Sequence, residues 1–228
     1  MKLLLTSGGL TTKSMVNTLQ KLVGRPFKNL NAVFIPTAAN AEEGDKWWLI
    51  EDLDNAKKLK FKSLDIVDIA ALKPELMEKR VQKADIIFVG GGNSFYLSYW
   101  MQKSGFLNLL PELLKTKVYV GISAGSMAVT ASLRVSSDAL EKFNQLSDEE
   151  YEELGPKGES SAKTAKLVAF VIRPHLNSKW FPKIRLKYLS KIAKELPMTM
   201  YAIDDKTAIK VLDGKVEIVS EGRWKKFN

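Results

Sequence analysis

VYVGISAGSM, residues 118–127, is the stretch whose reading decides the fold. Apolar and β-branched residues run into a glycine. A serine then sits among small residues, and a helical pattern begins. Buried strand, tight turn and helix make the repeating unit of an α/β sheet. Gly121 to Gly125 also fit G-x-S-x-G, the pattern of a nucleophile elbow. There a strained turn lifts a serine hydroxyl above the sheet, and the glycines let strand and helix cross closely. An ordinary small-residue turn reads the same way. A nucleophile therefore needs a base, an orienting carboxylate and an oxyanion site elsewhere in the chain.

The pattern on either side is consistent with such a sheet. Short apolar runs predict strands at 2–6, 31–36, 63–69, 84–90, 117–122, 166–172 and 199–203. Helical periodicity falls at 11–23, 45–60, 74–83, 94–103, 106–115, 124–132, 139–153 and 180–194. Pro74 suits a first-turn position, and Pro111 is expected to open a second short helix. Asp213-Gly214 between TAIKVL and KVEIVS predicts a tight β-hairpin. The polar segment 146–166 opens with a capping box, Ser147 to Glu150, and reads as a surface excursion. The alternation of strands and helices predicts one domain over 1–228, an α/β three-layer sandwich with a mainly parallel sheet. Sites in such sheets gather beyond the C-terminal strand ends, where TSGG (6–9), VGGGNS (89–94) and GISAGS (121–126) lie.

Composition narrows the chemistry. The 228 residues are 45% hydrophobic and 27% charged, an ordinary globular balance. With no cysteine, disulfides and thiolate metal sites are excluded. MKLLLTSGGL is too short in its apolar run for a signal segment or a membrane span, so a cytoplasmic protein without a membrane partner is expected. The net charge of +9 raises nucleic acid as a partner. However, the lysines scatter through helix-like segments, the C-terminal RWKKFN among them, and no zinc-finger or RNP-like motif accompanies them. A solvated basic surface, favouring acidic small substrates, is the expectation. DKWWLIEDL is expected to place its tryptophans partly in the core, with one as a pocket wall or subunit contact.

One histidine, His175, follows a buried strand in FVIRPHLNSKW, so any imidazole base for Ser123 is this one; a serine–lysine pair is the fallback. YAIDDKTAI offers Asp204 and Asp205 at another strand end, and either could orient the imidazole or merely build the turn. Three consecutive glycines in VGGGNS suit an oxyanion hole, with Gly91 or Gly92 donating a backbone N–H beside that of Ala124. Asn93 and Ser94 would cap the next helix. The dinucleotide pattern G-x-G-x-x-G fails here, and no Walker lysine follows.

VGGGNSFYL, GISAGSM, RPHLNS and AIDDKTAI, in that order, resemble the dipeptidase E and cyanophycinase family of serine peptidases; TSGG and FIPTAAN look like it too. The resemblance spans roughly residues 1 to 215. It implies a flavodoxin-like, class I glutamine-amidotransferase-like fold. It implies Ser123 as nucleophile, His175 as base, Asp205 (or Asp204) as third member, and Gly91 or Gly92 with Ala124 as oxyanion hole. Relatives often carry glutamate where this chain has Asp205, and alanine where it has Ser126. The implied activity is hydrolysis of short peptides, dipeptides with an N-terminal aspartyl residue above all, through an acyl-enzyme. Neither metal nor organic cofactor is implied. Arg185 would meet the substrate carboxylate, with Arg173 and Lys179 as competitors and Asn93 and Asn177 nearby. Isoaspartyl or ester hydrolysis, or binding without catalysis, are the alternatives. Monomer and homodimer both stand open.

Overall fold

The computed structural model describes residues 1–135 and 163–228. The expected helix at 139–153, with its capping box and most of the polar excursion, lies outside the described residues. Seven strands form the main sheet: β1 (Lys2–Thr6), β2 (Asn31–Ile35), β3 (Ser63–Ile66), β4 (Ile86–Val89), β5 (Val118–Ile122), β8 (Thr207–Leu212) and β9 (Lys215–Ser220). Their spatial order is β3-β2-β4-β5-β1-β8-β9. The first five run parallel, and β8 turns antiparallel against β1. The Asp213-Gly214 hairpin joins β8 to β9, and both residues take positive φ, +47° and +82°.

The two-residue period of the strands sorts the core. Leu3, Leu5, Ile87, Val89 and Tyr119 face one side, under α3 (Pro74–Gln82), α4 (Ser94–Lys103) and α5 (Phe106–Leu113). Leu4, Phe34, Phe88 and Val120 face the other, under α1 (Lys13–Val23) and α2 (Trp47–Lys58). Every residue of β4 and β5 is buried, as expected of strands covered on both faces. Local chemistry sets the helix ends: Thr12 caps α1, Gly24 closes it at φ 68°, Pro74 opens α3, and Asn93 accepts from the N–H groups of Phe95 and Tyr96 at the start of α4.

The largest departure from the sequence reading is a second sheet. The segments expected at 166–172 and 199–203 do not join the main sheet. They form β6 (Val171–Arg173) and β7 (Met200–Ile203), which pair with β10 (Trp224–Phe227) in the order β10-β7-β6. RWKKFN is therefore an edge strand, not a helix; its lysines protect an otherwise open edge. α7 (Leu186–Ala193) packs Leu189 and Ala193 onto this sheet with Val171, Met200 and Ala202.

Three helices differ from expectation. α5 runs through Pro111 without a break, since Phe106, Leu110 and Leu113 stay buried on one face. α6 is only Ala124–Met127, because the N–H groups of Ala131, Ala165 and Leu167 bond across to Phe170, Ala128 and Val129, tying the chain to a neighbouring segment. α7 starts six residues late, after Pro182 and the turn that Arg185 holds.

The elbow needs its glycines at contact distance. A Cβ on Gly125 would fall 2.0 Å from the Val89 carbonyl oxygen, and one on Gly121 2.7 Å from the Ser126 backbone. Gly125→Ala should therefore lower stability by roughly 2 kcal/mol or more. Denaturant titration checks this, and a wild-type midpoint would mean the crossing is not tight.

Candidate active site

The parallel register brings Leu5, Ile35, Val89 and Gly121 level near one edge of the main sheet. The loops leaving those strands carry Ser7, Gly91, Gly92 and Ser123. β6 and β7 of the small sheet end against the same edge and deliver His175 and Asp205. The site is thus assembled across two sheets.

Ser123 sits at φ 48°, ψ −110°, a conformation costly for any residue with a side chain. Its N–H donates to the Thr6 carbonyl at 3.1 Å, and the Ser126 hydroxyl donates to that carbonyl at 2.7 Å. The strain is held by the sheet, and the hydroxyl is left to face the histidine. Ser123 Oγ lies 2.8 Å from His175 Nε2, and His175 Nδ1 lies 2.8 Å from Asp205 Oδ1. An ionised carboxylate only accepts, so the imidazole proton belongs on Nδ1 and Nε2 is free to accept from Ser123. The imidazole stacks on Phe181 with ring centres 4.6 Å apart. Burial alone would raise the Asp205 carboxyl. The hydrogen bond and charge of His175, with the hydrogen bond from Ser7, hold it below the ordinary carboxylate value.

The two aspartates separate by what they touch. Asp204 accepts from the N–H groups of Lys206 and Arg223 and from the Thr207 hydroxyl, so it fastens β10 and the start of β8. Asp205, one residue on, points at His175. Gly91 lies against Ser123: an added Cβ there would sit 3.3 Å from the serine Cβ. The N–H groups of Gly91, Gly92 and Ala124 meet no acceptor among the described residues.

Ser7 is a residue that sequence reasoning did not assign. Fully buried, it donates its hydroxyl to Asp205 Oδ1 at 2.6 Å and accepts from the His175 backbone N–H at 2.8 Å. One side chain thereby fixes both partners from the main sheet. The only sequence signal was its place directly after β1.

A cavity of about 390 Å³ opens over Ser123, His175 and Asp205. Arg173 lines it; its Nη1 donates to the Val135 carbonyl at 3.1 Å. Trp47 and Trp48 both line it, and the Trp47 ring meets that of Trp180 at a tilt of 44°, with centres 5.5 Å apart. The other expected substrate contacts lie elsewhere. The Arg185 guanidinium donates to the carbonyls of Ser178, Phe181 and Ile184, holding its own turn. Asn93 is taken up by its helix cap. Asn177 is exposed at φ 62°. Lys179 lies over the Trp180 ring, 4.7 Å from its centre. Among the described residues no helix is long and apolar enough to cross a membrane.

Comparison with known proteins fits this picture. The family model described as peptidase family S51 matches residues 3–219. A protein named as an uncharacterized peptidase, Lin0382 of Listeria innocua, is 31% identical over 80% of this chain and 81% of its own. Peptidase E of Shewanella oneidensis is 41% identical over 59 residues, 25% of each chain. The 1.5 Å crystal structure of a Listeria monocytogenes protein, provisionally named a peptidase E, superposes with a TM-score of 0.77 at 22% identity, over 97% of this chain and 98% of that one. A peptidase from an acI-B1 actinobacterium gives 0.63 at 19% identity, over 98% and 88%.

Ser7→Ala should leave the His175 N–H without an acceptor and Asp205 with one donor fewer. We expect a loss of about 1–3 kcal/mol in stability. In hydrolysis, kcat should fall with little change in KM; a variant with an unaltered kcat would deny Ser7 a positioning role.

Proposed function

The chain belongs to peptidase family S51 and is a serine-type peptidase by that membership; from that premise we propose that Ser123, His175 and Asp205 are its catalytic triad and short peptides its substrates. The observation that carries the reading is the Ser123 Oγ to His175 Nε2 distance of 2.8 Å on a strained elbow inside a cavity.

In this mechanism Ser123 Oγ attacks the scissile carbonyl carbon while His175 Nε2 takes the hydroxyl proton. Asp205 keeps the imidazole oriented and stabilises the imidazolium that forms. The carbonyl oxygen becomes an oxyanion facing the N–H groups of Gly91 or Gly92 and of Ala124, which meet no acceptor among the described residues. As the tetrahedral intermediate collapses, the C–N bond breaks and His175 passes its proton to the leaving amine. Water, deprotonated by His175, then attacks the ester, releasing the acid and restoring Ser123.

A volume of about 390 Å³ is at the small end of ligand clefts, which favours one or two residues over an extended chain. An N-terminal aspartyl side chain would lay its carboxylate toward Arg173, the arginine that lines the cavity. Arg185 is not the partner in this reading, since its guanidinium holds a turn. The test is a dipeptide panel of Asp-X, β-Asp-X and neutral pairs with wild type, Ser123→Ala and His175→Ala. Wild type should cleave Asp-X, and each variant should lose about 10³-fold or more in kcat. Near-full turnover by His175→Ala would overturn the triad, and preference for β-Asp-X or a neutral pair would overturn the substrate.

A further inference from the structure

The cavity has a second chemical character that the triad does not use. Among the described residues Glu42, Asp45, Glu51, Asp52 and Asp205 line it, against a single guanidinium, that of Arg173. Four of these carboxylates come from the short segment that opens α2. Helical spacing stacks Trp48 with Asp52, and Trp47 with Glu51, one turn apart.

Asp52 stands out among them. It is only 8% exposed, it lines the cavity, and no hydrogen-bond donor or cation meets it among the described residues. Its Oδ1 lies where a Cβ on Gly9 would come within 2.5 Å; Cδ1 of Ile122, the residue before Ser123, is 3.6 Å from that point. The carboxylate therefore sits against the TSGG turn, in the cavity that Ser123 also lines. Trp48 covers the same region, since its ring would lie 3.8 Å from a Cβ on Gly91. An unpartnered carboxylate at this depth is unfavourable for the folded chain. Burial, with the charges of Glu51 and Asp205, pushes Asp52 up to about 7. A cation brought by a ligand would relieve that cost, and Trp48 would present an electron-rich face to it.

We propose that Asp52, with Trp48 one helical turn before it, forms a cation subsite in the cavity of Ser123 that binds an ammonium or guanidinium group of the substrate. The substrate is then a zwitterion, with its cation on Asp52 and any side-chain carboxylate toward Arg173. Two sources have this chemistry: the free α-ammonium of the first residue, and a basic side chain across the scissile bond. The assignment rests on the peptidase reading for its setting, but its binding arm can be judged apart from turnover.

The experiment measures Kd by calorimetry for Asp-Leu, N-acetyl-Asp-Leu and Asp-Arg on Ser123→Ala and on Ser123→Ala/Asp52→Asn, with kcat and KM for the same peptides on wild type and Asp52→Asn. Asparagine is isosteric and removes a buried charge, so the variant should melt no lower than wild type; Asp52→Glu keeps the charge as a second variant. If the α-ammonium is bound, Asp-Leu should bind about tenfold or more tightly than its acetyl form. If a basic side chain is bound, Asp-Arg should exceed Asp-Leu by a similar factor. Either preference should collapse in Asp52→Asn, appear in KM more than in kcat, and return in part with Asp52→Glu. Equal binding of all three peptides, or a preference that survives Asp52→Asn, overturns the subsite. Discrimination in binding without cleavage by wild type leaves the subsite standing and overturns the peptidase reading instead.

Discussion

The carboxylate of Asp205 is the contact on which the rest of the site depends. It accepts from His175, carried by the small sheet, and from Ser7, carried by the main sheet. Asp205 itself lies in the few residues between β7 and β8, where the chain passes from one sheet to the other. Three hydrogen bonds thus close a ring across the seam: Ser7 to Asp205, His175 to Asp205, and the His175 N–H to Ser7. The ring fixes His175, which follows β6, against Ser123, which follows β5, across two sheets that also share one apolar cluster, with Ile172 and Ile203 beside Leu5 and Tyr119. Asp204 fastens the neighbouring strands and leaves Asp205 to the imidazole.

Much of this was legible in the sequence because local rules and global packing agree there. The apolar runs of β4 and β5, the elbow glycines, the Asp-Gly hairpin and the caps at Thr12 and Asn93 each follow from short-range chemistry that the fold preserves. The second sheet was not legible. A run such as TMYAI states that it is a buried strand, but not which sheet it joins; that depends on contacts between residues far apart in sequence. RWKKFN read as a basic helical end because an edge strand with exposed lysines has no apolar alternation to reveal it. Arg185 carried the right chemistry for a substrate carboxylate, yet Pro182 breaks the expected helix and leaves carbonyls that the guanidinium satisfies. Ser7 was hidden because one serine in a turn carries no pattern; only the return of Asp205 and His175 to the end of β1 gives it a role.

Charge tells a similar story at larger scale. The chain carries a net charge of +9, which from composition alone favours acidic substrates. The charged side chains that line the cavity over Ser123 are instead mostly carboxylates. Net charge describes the solvated surface, whereas a cleft follows the few residues that face it. Asp52 and the strained Ser123 are two places where the fold accepts an unfavourable local state, and both border the same cavity.

The chain has a single histidine, so proton NMR of the imidazole N–H region examines the central contact directly. A proton held between His175 Nδ1 and the Asp205 carboxylate should give one strongly downfield resonance. It should persist in Asp204→Asn and vanish, or move well upfield, in Asp205→Asn. A spectrum without that resonance, or one in which it survives Asp205→Asn unchanged, would contradict the assignment of Asp205 as the residue that joins the two sheets and orients the base.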